Sequence, residues 1–182
     1  MIITFNNKII APAAGKWLMP LPGVRVGDVY WSTNYLAIDD GGEGIQYVTE
    51  GWSYGGPWPP TYYYSKDAAN RVAQTVGNGW RMPTRADLEA LMAYGNEVGW
   101  AKFRTTYGWI LERNGTDELG MHLMGLGHWW TRENRLEDSD AELPSDSWYT
   151  ITVSYDDWAT VGTLPYPSQL NYWYPVRLVK DA

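Results

Sequence analysis

Gly79-Trp80-Arg81-Met82-Pro83-Thr84-Arg85-Ala86-Asp87-Leu88-Glu89-Ala90-Leu91-Met92 reads as a short extended segment that delivers the chain into a helix. Pro83 confines Met82 to extended angles, because the pyrrolidine ring clashes with a helical predecessor. Thr84 is placed to accept from the first free helical N–H groups. Asp87, three residues on, can complete a capping box and meet the positive end of the helix. Leu88, Leu91 and Met92 share one face at helical spacing, and Gly95 is the expected stop. The stretch marks architecture and carries no obvious catalytic group.

Working upstream, Ser65 is the expected cap of an earlier helix. Its buried stripe is Ala68, Ala69, Val72, Ala73 and Val76, and Gly77-Asn78-Gly79 ends it. Val24-Arg25-Val26-Gly27-Asp28-Val29-Tyr30-Trp31 reads as strand, turn, strand. Asp39-Asp40-Gly41-Gly42-Glu43-Gly44 is an acidic loop without the ligand spacing of an EF-hand, and is read as solvated, with no metal. Residues 45–64 alternate short aromatic runs with Gly and Pro, and Gly55-Gly56-Pro57-Trp58-Pro59-Pro60 cannot continue a helix or a central strand.

Downstream, Trp109-Ile110-Leu111 is an expected strand and Asn114-Gly115 an expected turn. His122 and His128 lack the spacing of a ready-made metal pair and are read as packed or exposed side chains. Trp129-Trp130-Thr131 reads as a core strand. Trp148-Tyr149-Thr150-Ile151-Thr152-Val153 is the strongest strand by propensity, and Tyr155-Asp156-Asp157-Trp158 a turn. Residues 172–179 form an expected closing strand in which Pro175 marks a bulge or an edge. Two modest helices among short strands and long loops predict an α+β fold.

The totals narrow the function. A chain of 182 residues is enough for one packed domain with a small appendage. A net charge of −7 leaves too little positive charge for nonspecific nucleic-acid binding. No apolar run reaches membrane-spanning length, so no membrane insertion is expected. The absence of cysteine excludes disulfides and thiol chemistry. The 12 Trp and 14 Tyr pair large apolar area with a polar edge, which suits both a loop-rich core and a binding face. Residues 1–23 hold Lys8 and Lys16 and no acid, lack the layout of a secretory signal, and read as an attachment arm and linker. Such an arm either docks on a partner, with Ile3, Phe5, Trp17 and Leu18 as its expected docking residues, or completes the domain's own sheet.

Several of these motifs, taken in order, resemble the major paralogous domain family of Fibrobacter succinogenes and of Bacteroidetes proteins, a branch of the C-type-lectin-like fold. The resemblance begins at residues 24–31 and Asn34-Tyr35-Leu36, and runs through Tyr63-Tyr64-Ser65-Lys66-Asp67-Ala68-Ala69. The opening stretch is similar to the family's Gly-Trp-Arg-Leu-Pro-Thr signature. Trp129-Trp130-Thr131, with the Gly-rich run before it, is similar to its Gly-x-x-Trp-Trp-Ser motif. Tyr174-Pro175-Val176-Arg177-Leu178-Val179-Lys180-Asp181 is similar to its terminal strand. The resemblance covers residues 24–181 and implies a C-type-lectin-like domain over 24–182, with two helices packed on short twisted antiparallel sheets and long irregular loops. Leu178 stands where many relatives carry a cysteine. The Glu-Pro-Asn and Trp-Asn-Asp signatures of calcium-dependent sugar binding are absent.

The same fold is similar to the variable proteins of diversity-generating retroelements and to phage receptor-binding proteins, whose display residues lie between the Trp-Trp strand and the final strand. In this chain that segment, residues 129–174, holds ten aromatic residues. Aromatic anchors beside charges and amides are the composition of a recognition face. The expected ligand-binding residues are Arg132, Glu133, Asn134, Trp148, Tyr149, Tyr155, Asp156, Trp158, Asn171 and Tyr172.

The expected function is noncatalytic recognition of a cell-surface glycan or protein receptor, as a component of a phage virion or of a bacterial surface. Further partners are other virion or surface-assembly proteins, reached through the N-terminal arm, or a second copy in a homo-oligomer. The competing reading is a structural or decoration protein of a phage particle or pilus, its aromatics packed against neighbouring subunits. The fold is also similar to formylglycine-generating and related oxygenase enzymes, but their active cysteines have no counterpart here. Asp39, Asp40, Asp156 and Asp157 are the carboxylates available for acid–base work, and adjacency in a loop does not make a pocket. Neither enzymatic activity nor a cofactor is expected.

Overall fold

The computed structural model describes residues 4–5, 8–9, 22–48, 51–53, 56–58, 61–106, 114–123, 148–153, 159–164 and 174–182. The entrance to α2 (Arg85–Val98) forms as its residues dictate. Thr84 is extended and its hydroxyl accepts from the Asp87 N–H, while the Asp87 carboxylate accepts from the Thr84 N–H at 2.7 Å, closing the box from both sides. Arg81 then donates to Asp87 at 2.6 Å and to Asp181 at 2.9 Å, so one guanidinium ties the helix start to the last strand. Leu88 and Leu91 are buried.

Gly95 is not the stop. The helix continues to Val98 and closes at Gly99, which has a φ of 92°. Gly95 lies inside the helix with its surface against the Trp100 ring, and any Cβ there would overlap that ring. The glycine serves close approach, a role that chain position alone does not separate from termination.

Helix α1 (Lys66–Val76) matches its expected stripe. Ser65 caps it by accepting from the Ala68 N–H, and Ala68, Ala69, Val72, Ala73 and Val76 are all buried. Gly77, Asn78 and Gly79 then turn the chain at φ 67°, 54° and 82°. Asn is among the few non-glycine residues that tolerate this region.

The strands form short antiparallel sheets. In chain order they are β1 (Thr4–Phe5), β2 (Lys8–Ile9), β3 (Gly23–Val26), β4 (Val29–Ser32), β5 (Ile45–Val48), β6 (Gly51–Ser53), β7 (Gly56–Trp58), β8 (Thr61–Tyr64), β9 (Trp148–Val153), β10 (Ala159–Leu164) and β11 (Val179–Asp181). Gly27 turns β3 into β4, and β11 adds to the other side of β4, so the early hairpin and the end of the chain share one sheet. Strands β5 and β8 pair, as do β6 and β7. Pro57 sits opposite Trp52 in β6–β7, a pair that gains no further strand among the described residues. The architecture is therefore α+β, with two α-helices and short antiparallel sheets joined by loops among the described residues.

The closing strand is shorter than the sequence predicts. Regular pairing covers only β11, and residues 174–178 are held by separate bonds instead. Tyr174 exchanges two backbone bonds with Tyr64, Leu36 N–H donates to Val176 O, and Ser32 N–H donates to Leu178 O. The Leu178 N–H in turn donates to the Ser32 hydroxyl at 3.0 Å, a side chain standing in for a ladder partner. Pro175 has no N–H to give.

Two apolar clusters meet along this run. Val176 and Leu178 pack with α1, β8, Leu36 and Ile38, while Val179 packs with α2, Trp31, Trp100, Phe103, Met121, Leu123, Ile151 and Val153. The Tyr64 hydroxyl, fully buried, shares its proton between the carbonyls of Leu36 and Ile38 and accepts from the Ile38 N–H at 2.9 Å. Burial pushes its pKa up, so it remains a neutral donor.

Two substitutions test this account. Gly95→Ala gains about 1 kcal/mol of helix propensity where glycine is merely a poor helix former, but overpacking against Trp100 costs about 1–3 kcal/mol. The variant is expected to be destabilised in urea unfolding, and a stabilised one would show that Trp100 yields. For Asp87, burial raises the pKa, but the hydrogen bonds from Arg81 and Thr84 together outweigh it and hold the carboxyl below its usual range. A depressed folded pKa gives stability that is present at neutral pH and lost as pH falls through the folded value. Asp87→Asn should cost about 1–3 kcal/mol at pH 7, with the gap from the parent narrowing by about pH 2. An equal gap at both pH values would remove the ionic contribution.

Candidate functional site

The recognition segment proposed from the sequence leaves the described core after Leu123 and returns at Tyr174. Its exit is fixed by backbone bonds: Leu123 N–H donates to Phe103 O and Thr105 N–H to Leu123 O, each at 2.9 Å. Its return is fixed by the Tyr64–Tyr174 exchange. Between these ends, β9 and β10 pair over six residues each, from Trp148 opposite Leu164 to Val153 opposite Ala159. This hairpin packs against α2, with Ile151 and Val153 buried among Leu88, Leu91 and Trp100. The chain is thus anchored at Leu123, ahead of residues 129–174, at the β9–β10 hairpin within them, and at Tyr174.

Arg177 binds the exit to the return. Its guanidinium is fully buried, donating from Nη1 to Ser32 O at 2.8 Å and Thr33 O at 2.9 Å, and from Nη2 to His122 O at 3.1 Å. The Tyr35 ring lies 4.4 Å from its centre, a cation–π contact. Burial pushes the guanidinium pKa down, and the attraction of Tyr35 and of Asp117 opposes that shift. Carbonyl dipoles and an aromatic face thus carry most of the solvation of this cation.

The loop that Arg177 grips is shaped by one carboxylate. Asp117 accepts from the His122 backbone N–H at 2.9 Å and also contacts the His122 ring at Nδ1. Both residues have left-handed backbones, at φ 51° and 50°, which Asp and His tolerate better than most. The turn itself spans Asp117 to Gly120, where Gly120 N–H donates to Asp117 O. It lies a few residues after the Asn114-Gly115 turn expected from sequence. Gly115 packs against the carbonyls of Ala101 and Arg104, where a Cβ would not fit. The dipeptide again signals close approach rather than reversal.

The acidic loop is closed from within the chain. Arg71 on α1 donates to Asp40 through Nε at 2.7 Å and to Glu43 O at 2.9 Å, while Gly41 and Gly42 N–H groups donate to Asp39 and Asp40. The Arg71 guanidinium holds the Asp40 carboxyl below its usual range. The Arg71 side chain is 42 % exposed, so the pair contributes only about 0–1 kcal/mol. Among the described residues no three His, Asp or Glu side chains gather as a metal site.

Of the residues nominated from sequence, Trp148 and Tyr149 are consecutive positions of β9, paired with Leu164 and Thr163, and Phe5 lies in β1 opposite Lys8. Consecutive strand positions belong to opposite faces of a sheet, so a ligand lying on one face of the hairpin meets one of those two positions. Arg132, Glu133, Asn134, Tyr155, Asp156, Trp158, Asn171 and Tyr172, with Ile3, Trp17 and Leu18, lie outside the described residues. Sequence reading passed over Arg177, Tyr35 and Asp117. The available signal was an arginine inside the apolar run Val176–Val179, where a cation must find buried partners.

Arg177→Met keeps the apolar stem and leaves three carbonyls without their donor. It should cost at least about 3 kcal/mol in urea unfolding, with the Thr105 and Leu123 amides exchanging faster than the α1 amides. Uniform exchange across the chain would show that Arg177 does not specifically hold the segment's exit. Comparison of the chain with protein-family models, with curated proteins and with solved structures returned no match.

Proposed function

We propose that this chain is a noncatalytic recognition module of C-type-lectin-like fold, presenting residues 129–174 to a cell-surface glycan or protein receptor from a phage virion or bacterial surface. The observation that carries the reading is the anchoring of that segment. Arg177 holds the chain at His122 ahead of the segment, the Tyr64–Tyr174 exchange holds its last residue, and the β9–β10 hairpin within it packs on α2. A long connection that leaves and rejoins a packed core at fixed points, with a hairpin packed on that core, is an arrangement by which rigid scaffolds position binding loops. Its aromatic, amide and charged residues fit contact with sugar rings or a protein surface. The lectin-like reading is supported further by the sheet in which β11 joins the β3–β4 hairpin, with both helices between them in the chain. Residues 1–23 serve as the arm that docks on other assembly proteins.

The test is a glycan array together with a host-cell binding assay on Trp148→Ala, Tyr155→Ala and Trp158→Ala. At least one variant should lose about tenfold or more in affinity, the loss typical of an aromatic anchor, while its unfolding midpoint stays near the parent's. Parent-like binding in all three would place the contact surface elsewhere. Burial of residues 129–174 between subunits of an isolated particle would instead establish the decoration role.

A further inference from the structure

We propose that the hollow between α1 and the Trp80–Met82 segment is a subsite for one neutral sugar ring. The hollow holds about 210 Å³ and is lined by Asn70, Ala73 and Gln74 from α1 and by Trp80, Arg81 and Met82. This is below the roughly 300–1,000 Å³ of sites for drug-sized ligands, and suits a single small ring. The three α1 residues share a helix face through their three- and four-residue spacing. Two carboxamides therefore stand one turn apart above a floor of Ala73, Met82 and the Trp80 ring.

Each carboxamide offers two N–H donors and one carbonyl acceptor. Neither Asn70 nor Gln74 spends its amide on a partner among the described residues. A sugar hydroxyl both donates and accepts, and neighbouring hydroxyls on one ring present the matching pattern. The indole supplies an apolar edge: Trp80 is 9 % exposed, its far corner packed on Gly23. That edge covers part of a ring's C–H surface without forming a full stacking platform, so a Kd in the millimolar range is expected, equivalent to about −4 kcal/mol.

The local charge argues against an ionic ligand. Arg81 lines the hollow, but its Nη1 and Nη2 already donate to Asp87 and Asp181. Lys180 runs beside Gly79 nearby. The two cations and two carboxylates cancel, leaving hydrogen bonding and apolar contact as the means of recognition. The subsite shares no residue with the 129–174 segment, so it stands or falls independently of that segment's role.

The test uses the full chain, labelled with ¹⁵N, and methyl glycosides of mannose, glucose, galactose and N-acetylglucosamine as probes at up to about 10 mM. At least one glycoside should shift the Asn70 and Gln74 side-chain amide signals and the Trp80 indole N–H signal. Asn70→Ala and Gln74→Ala should each weaken it about tenfold. Gln74 is exposed, so its variant keeps the fold and preserves the test if Asn70→Ala does not. The proposal is overturned by silence of these signals with all four glycosides, or by parent-like binding in Gln74→Ala. Stronger shifts with sodium acetate or with N-acetylalanine amide would overturn it in favour of an anion or a peptide.

Discussion

The buried guanidinium of Arg177 is the constraint around which the rest of the structure is arranged. An arginine cannot shed its charge in a protein, so a fully enclosed one must be solvated by its surroundings. Here those surroundings come from two distant parts of the chain: Ser32, Thr33 and Tyr35 at and just beyond the end of β4, and His122 in the loop closed by Asp117. The cation thereby fixes where the long connection leaves the core relative to where the chain returns. A hydrophobic residue could fill the same volume, but it could not specify which carbonyls converge there.

Two further arginines do similar work at lower burial. Arg81 joins the start of α2 to Asp181 in β11, and Arg71 joins α1 to the acidic loop. The gradient in exposure explains a gradient in consequence. The Arg71 pair is the more exposed, and screening and side-chain entropy there cancel most of the attraction. The Arg81–Asp87 pair is half enclosed and reinforced by the Thr84 cap, so the carboxylate loses more if its partner is removed. Each arginine also closes a gap between elements far apart in sequence. Short strands and a cysteine-free chain leave few other cross-links available.

Local features were the most legible in the sequence. Both helix entrances, the α1 stripe, the Gly27 hairpin and the β9 strand follow from capping chemistry, 3.6-residue spacing, left-handed turns and β-branched content, all readable within about a dozen residues. The α+β class followed from those elements. Glycine was read less well. Gly95 and Gly115 carry signals identical to a helix stop and a turn, yet both exist because another segment, at Trp100 or at Ala101 and Arg104, comes too close for a Cβ. The closing strand is shorter than its propensity suggests because its bonds go to Ser32, Leu36 and Tyr64, partners that strand propensity cannot name.

For the functional surface the division is sharper. By itself the sequence determined the aromatic density of residues 129–174, the net negative charge, the absence of thiol chemistry and the caps that start both helices, because composition and local hydrogen bonding need no long-range information. Only the tertiary structure decided that the chain is held at Leu123 before this segment, at the hairpin within it and at Tyr174 where it ends. It also decided that Arg177 is a buried tie rather than an exposed strand residue, and that Asn70 and Gln74 share a hollow with Trp80. Those facts depend on which distant groups converge, and convergence is set by the packing of the two apolar clusters rather than by any single stretch of chain.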